Sequence, residues 1–195
     1  MPEYVKPLRQ EIRNALALEG GLTKMAILKM PKLDSFMRES QQFNPLLLIT
    51  YERFLHNDLR LSDGFVIPAH TQIGVPAHAI GFDPSIYPDP NAFDGLRFYK
   101  LRQSSPDSAG QQQYTAANLS NMSWGYGKHA CPGRWFADAE IKAILCHLLI
   151  EYEFKLPDGH ERPKSFTFET QNLPDKEAKV LIRKRAEAVV IEAKT

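Results

Sequence analysis

From Arg134 to Ile150 the chain runs without a glycine or proline, and apolar residues occupy most of the circumference that a helix over this stretch would present. Few strands are so long, so the segment is expected to be a buried α-helix against which the rest of the chain packs. Directly before it stands Trp124-Gly125-Tyr126-Gly127-Lys128-His129-Ala130-Cys131-Pro132-Gly133-Arg134. Gly125 and Gly127 allow a tightly curled loop, and Gly133 opens the helix two residues after the cysteine. A cysteine at that place faces unsatisfied backbone N–H groups and the positive end of the helix dipole, both of which favour thiolate over thiol.

The remainder reads as one mixed domain. A chain of 195 residues with 43% hydrophobic content can build a genuine core. Val5, Leu8, Ile12, Ala15 and Leu16 recur at three- and four-residue steps and predict a helix from about Pro2 to Leu18, stopped by Gly20-Gly21. A second helix is expected from near Lys32, carrying Leu33, Phe36 and Met37, until Asn44-Pro45 ends it. Short β-like runs follow at Leu47 to Tyr51, Gly64 to Ile67 and Thr71 to Val75. Residues 83–121 carry Pro84, Pro88, Pro90, Gly95, Pro106 and Gly110, so little regular structure is expected there, with Gln103 to Gln113 as the flexible part. After the long helix, Tyr152 to Leu156, Phe166 to Glu169 and Val180 to Arg183 read as strands.

Bulk composition excludes several classes. The 24 Lys and Arg against 23 Asp and Glu leave no basic stripe of the kind nucleic-acid binding needs. The two cysteines, Cys131 and Cys146, would lie ~20 Å apart along a helix, beyond disulfide reach, which points to a reducing compartment. The N-terminus lacks the pattern of a signal peptide, and no stretch has the length of a membrane span. A cytoplasmic chain, or one peripheral to the endoplasmic reticulum membrane, is the expectation.

Thiolate ligation gives haem iron electron density that promotes O–O cleavage, and the local physics at Cys131 suits such a bond. The aromatic-Gly-x-Gly-x-His-x-Cys-x-Gly pattern of residues 124–133 resembles the cysteine loop of the cytochrome P450 family, with a fungal cast in Gly133-Arg134-Trp135-Phe136-Ala137 and Asp94-Gly95-Leu96-Arg97-Phe98. The resemblance implies that Cys131 is the axial ligand to the haem iron, that Trp124, Gly125 and Gly133 shape its surroundings, and that His129 binds a haem propionate. Trp124 stands where the family usually has phenylalanine. Arg53, with Asp58 and Gly64 beyond it, is similar to the segment that supplies another propionate-binding arginine. Lys128 and Arg134 read as solvated surface cations before a basic proximal face.

Upstream, Lys32 to Gln42 is similar to the family's Glu-x-x-Arg helix, with Glu39 as the glutamate and Gln42 in place of the arginine. Arg97 is then the cation left to neutralise Glu39. The oxygen-activating helix of the family has no counterpart, since only 38 residues precede Glu39 and the letters of Glu19-Gly20-Gly21-Leu22-Thr23 place glycines at a helix end. The matching region is less than half of a typical member.

The implied fold is α+β, mainly α, a C-terminal portion of the cytochrome P450 fold. Its parts would be helices over residues 1–45, a small sheet over 46–82, a meander and cysteine loop over 83–131, a helix over 132–151 and strands over 152–195. The implied activity is that of a haem-thiolate monooxygenase oxidising a small lipophilic substrate of secondary metabolism with O2 and electrons from an NADPH-cytochrome P450 reductase-type donor. Two alternatives stand beside it: a non-catalytic truncated remnant, and a zinc site built from Cys131, Cys146, His129 and His147, whose spacing lacks the close pairs that zinc favours.

Overall fold

The computed structural model describes residues 2–186, so Met1 and the end of the expected 152–195 region lie outside the described residues. Helix α1 spans Pro2–Glu19 and buries Leu8, Ile12 and Ala15, one stripe of its surface. Gly20 and Gly21 end it with positive φ, and the Gly21 N–H closes the last turn on the Leu16 carbonyl at 2.9 Å. Helix α2, Lys24–Leu28, starts at Thr23, whose hydroxyl accepts the Ala26 N–H at 3.1 Å.

Helix α3, Pro31–Phe43, has no cap of its own, because Met30 occupies the cap position. Glu11 of α1 supplies it instead, its carboxylate accepting the N–H groups of Lys32 and Leu33, each at 2.9 Å. Burial raises the Glu11 pKa against the lowering effect of those two N–H groups.

The long breaker-free run forms α6, Arg134–Glu151. Its buried face is unlike the expected apolar one: Asp138, Lys142, Cys146 and Ile150, at four-residue steps, point inward, while Trp135, Phe136 and Ile144 are exposed, Phe136 by 74%. The inward charges are compensated. Lys142 Nζ lies 2.8 Å from Asp138 and donates to Asp34 of α3 at 2.7 Å, and the same Asp34 carboxylate is also paired with Arg102. Burial pulls the Arg102 pKa down to about 10, against the Asp138 and Glu11 carboxylates, so the group is cationic at neutral pH and the four charges balance. Around this cluster α1, α2, α3 and α6 share one core containing Leu8, Ile12, Ala26, Met30, Leu33, Cys146 and Ile150.

Among the described residues the strands make four two-stranded antiparallel ribbons. β1 (Thr50–Phe54) pairs with β4 (Gln72–Val75), and β2 (Leu59–Arg60) with β3 (Val66–Ile67). β5 (Tyr152–Lys155) pairs with β8 (Leu181–Lys184), and β6 (Phe166–Phe168) with β7 (Gln171–Leu173). The strand predicted from Leu47 begins only at Thr50, because Leu46 and Leu48 bond to the distant hairpin through Asn172 N–H and Thr170 C=O at 2.9 and 2.7 Å. A five-residue helix, α4, covers Ala77–Gly81.

Residues 83–121 are more ordered than their prolines and glycines suggest. Helix α5 spans Arg97–Ser104 and a 3-10 helix follows over Pro106–Gln112. Asp94 accepts the Leu96 N–H at 3.0 Å and pairs with Lys100, while Ser35 of α3 accepts the Tyr99 N–H at 2.9 Å. The expected flexible part, Gln103 to Gln113, is pinned from a distance: Arg38 donates to the Gln111 carbonyl at 2.7 Å and Arg102 to that of Gln112 at 2.9 Å. Two guanidiniums, that of Arg38 buried and that of Arg102 half-buried, thus order a stretch whose local composition favours loop. No helix among the described residues is long and apolar enough to cross a membrane.

Candidate functional site

The loop before α6 is closed by its own backbone. Gly125 and Gly127 take φ of +75° and +66°, the left-handed region that other residues enter at a cost. With that geometry the Gly125 N–H reaches the Met122 carbonyl at 2.9 Å, the Ala130 N–H reaches that of Gly127 at 3.0 Å, and the Cys131 N–H reaches that of Trp124 at 2.8 Å. A 3-10 turn over Gly127–His129 carries His129 into solvent. Gly133 then caps α6, and a side chain there would begin 3.9 Å from the Cys131 sulfur, so glycine keeps that side of the sulfur clear.

The two cysteines have different fates. Cys146 is fully buried with its sulfur 3.4 Å from Met30 Sδ, and burial pushes its thiol up to about 12, so it remains protonated and inert. Cys131 is half-exposed at a helix start and is the sulfur available to a ligand. Among the described residues no group of three or more His, Cys, Asp or Glu side chains could hold a bare metal ion; His147 instead faces Glu151 at 3.2 Å. This geometry disfavours the zinc arrangement.

Beside the loop, an open cavity of about 590 Å³ is bounded by Met37 and Gln41 of α3, Leu46 and Leu47, Trp124, and Ile141 and Leu145 of α6. Its walls are largely apolar, and the buried Gln41 Oε1 has no hydrogen-bond partner among the described residues. A half-exposed sulfur at a helix N-terminus, a side chain-free glycine next to it and an apolar cavity at the flanking tryptophan fit the demands of a thiolate-ligated macrocycle.

The other predicted residues fall in two groups. Trp124, Gly125, His129, Cys131 and Gly133 form one loop, whereas Arg53 sits on β1, where its guanidinium stacks on the Tyr51 ring at 4.1 Å and donates to the Glu52 carbonyl at 2.7 Å. Among the described residues no hydrogen bond or ion pair joins Arg53 to that loop. Asp58, its expected companion, accepts the Ala69 N–H at 2.8 Å.

Glu39 is fully buried and is not left bare by the glutamine at 42. Arg97 Nε contacts its two carboxylate oxygens at 3.1 and 3.3 Å, and the Asp94 N–H adds a bond of 2.8 Å. Arg97 also donates to the carbonyls of Pro88, Asp89 and Ala92, so it ties the meander to α3. Burial still raises the Glu39 pKa, opposed by the Asp94 N–H and by Arg97. Gln42 itself donates to the Gly81 carbonyl at 2.5 Å.

Several supporting residues were not evident from the sequence. Arg134 is no free surface cation: it donates to the Cys131 carbonyl at 2.7 Å and to that of Thr115 at 3.1 Å while stacking on Trp135. The buried Asp34, Asp138 and Lys142 and the half-buried Arg102 were equally hidden, although a Lys and an Asp four apart in an apolar helix were the available signal.

The family model described as Cytochrome P450 matches residues 1–182. A cytochrome P450 monooxygenase of Emericella nidulans is 44% identical over 187 residues, covering 96% of this chain and 35% of that protein. An ent-kaurene oxidase of Fusarium fujikuroi is 44% identical over 188 residues, 95% of this chain and 35% of its own length. The cytochrome P450 monooxygenase pyr3 of Aspergillus fumigatus is 42% identical, over 96% of this chain and 36% of its own. The chain thus spans about a third of the length of the curated relatives it matches.

Proposed function

This chain belongs to the cytochrome P450 family, and on that footing we propose that it forms the cysteine-ligating part of a haem-thiolate monooxygenase acting on a small lipophilic substrate. Relatives named as an ent-kaurene oxidase and as monooxygenases support an apolar organic substrate of secondary metabolism. The observation that carries the reading is the half-exposed Cys131 at the start of α6, in a loop whose Trp124 lines an apolar cavity of about 590 Å³.

In this reading Cys131 ligates the iron as a thiolate. Haem, when bound, supplies the activation of dioxygen, with electrons from a reductase-type donor. The chain's own residues set the conditions. Cys131 stands just ahead of the Gly133 cap of α6, which fixes where its sulfur enters the site. Gly133 leaves one side of the sulfur free of a side chain, and Trp124 closes the cavity next to the loop. His129, two residues from the ligand and exposed, offers a donor to a propionate; Arg53 offers another by leaving the Tyr51 ring and the Glu52 carbonyl. Glu39 and Arg97 hold α3 and the meander together behind the site.

The test is to load the chain with haem, reduce it and record the CO-bound absorption spectrum beside Cys131→Ser and Cys146→Ala variants. A thiolate-type Soret band in the parent and in Cys146→Ala, lost in Cys131→Ser, is the expected result. No such band in the parent leaves a non-catalytic remnant as the reading, and a band that survives Cys131→Ser overturns the ligand assignment.

A further inference from the structure

Trp124 carries an indole N–H that a phenylalanine lacks, and that group has a specific partner. It donates to the Tyr114 carbonyl at 2.8 Å, while the two rings meet edge to face at 5.4 Å and 88°. The Tyr114 N–H in turn is bound at 2.9 Å by the buried Asp34 carboxylate, which Lys142 and Arg102 hold in place. On the loop side, the Trp124 carbonyl accepts the Cys131 N–H at 2.8 Å. An unbroken series of hydrogen bonds therefore runs from the buried charges through Tyr114 and Trp124 to the backbone of Cys131.

The next residue of the same segment repeats the device from the other end. The Thr115 carbonyl accepts from Arg134, whose second nitrogen donates to the Cys131 carbonyl at 2.7 Å. Two successive carbonyls, those of Tyr114 and Thr115, thus take side-chain donors from both flanks of the cysteine loop. The loop's own backbone bonds close it on itself, whereas its placement against the rest of the fold rests on such external ties.

We propose that Trp124 is a positioning residue whose indole N–H moors the cysteine loop to the Tyr114–Thr115 segment and thereby fixes the Cys131 sulfur. Phenylalanine would keep the edge-to-face ring contact and lose the mooring. The bearing of this on iron rests on the haem reading, but the fixing of the thiol does not.

The test uses the thiols of the full 195-residue chain without haem, with Cys146 as an internal control because it is fully buried. Alkylation of Cys131 is followed in the parent, in Trp124→Phe, and in a variant with 3-benzothienylalanine at position 124, which keeps the bicyclic shape but has no N–H. Cys131 is expected to react about two- to tenfold faster in both variants, the range for one lost hydrogen bond, with Cys146 still protected. Unchanged Cys131 reactivity in the benzothienylalanine variant overturns the proposal. So does equal acceleration at both sulfurs in that variant, since the fold rather than the loop would then have loosened. A failed Soret test would leave the alkylation result untouched, which keeps the two claims separable.

Discussion

Replacing Arg97 with methionine strands a fully buried carboxylate. Of the three contacts described to the Glu39 oxygens, the two at 3.1 and 3.3 Å come from Arg97, and only the Asp94 N–H at 2.8 Å would remain. Removing one member of a buried ion pair costs ~3–5 kcal/mol, because the other is left charged without a partner. The loss should also depend on pH. Burial already holds the Glu39 pKa above its ordinary value, and deleting the opposing guanidinium raises it further. A carboxyl whose folded pKa exceeds its unfolded one binds its proton more tightly when folded. Its contribution is therefore most favourable below the unfolded pKa and is lost as pH rises through the folded one. Urea unfolding followed by far-UV circular dichroism should accordingly show a smaller deficit for Arg97→Met at pH 5.5 than at pH 7.5, recovering up to ~1.4 kcal/mol per pH unit within the titration range. Adding Glu39→Gln to Arg97→Met should restore much of the loss at pH 7.5, because a neutral amide needs no counter-charge. An equal deficit at both pH values, together with no rescue by Glu39→Gln, would refute the reasoning.

Two further outcomes are expected. Asp34→Asn and Lys142→Met should each destabilise by ~3 kcal/mol, and their double mutant by clearly less than the sum, because each single change leaves unmatched charge in one buried cluster; a denaturant double-mutant cycle measures the coupling. Cys146, raised from 9.0 to about 12 by burial, contributes stability that is complete below pH 9 and falls away between pH 9 and 12, by ~4 kcal/mol at most; the alkaline slope of the urea midpoint should flatten in Cys146→Ala.

The helices α1, α3 and α6 were readable because their spacing of apolar residues and their breakers are local properties, and the cysteine loop was readable because glycines and a cysteine at fixed offsets are local too. Helix α5 and the 3-10 turn after it were not, since Ser35 and Arg38 of α3 reach across to the Tyr99 N–H and the Gln111 carbonyl, and Arg102 of α5 folds the Gln112 carbonyl back onto itself. The identity of the buried face of α6 was hidden for a related reason. Its apolar residues lie all round, so periodicity could not say which side faces inward, and the side chosen carries Asp138 and Lys142 because Asp34 and Arg102 stand opposite. Around the candidate site, the residue types near Cys131 were evident, whereas the ties from Trp124 to Tyr114 and from Arg134 to Thr115 depend on a segment brought in by tertiary packing.

The cap that Glu11 provides for α3 bears on how these two helices come to exist. Because the first turn of α3 draws its acceptor from a residue 21 positions earlier, Pro31 can mark where that helix begins but nothing in its own sequence satisfies the N–H groups there. A peptide of residues 30–44 alone would fray from its front end, and docking on α1 would be what sets the frame in which Glu39 is presented. Changes to the Gly20–Lys29 connector are therefore best judged by whether they still let one carboxylate reach those two amides, rather than by their own helix or turn propensity.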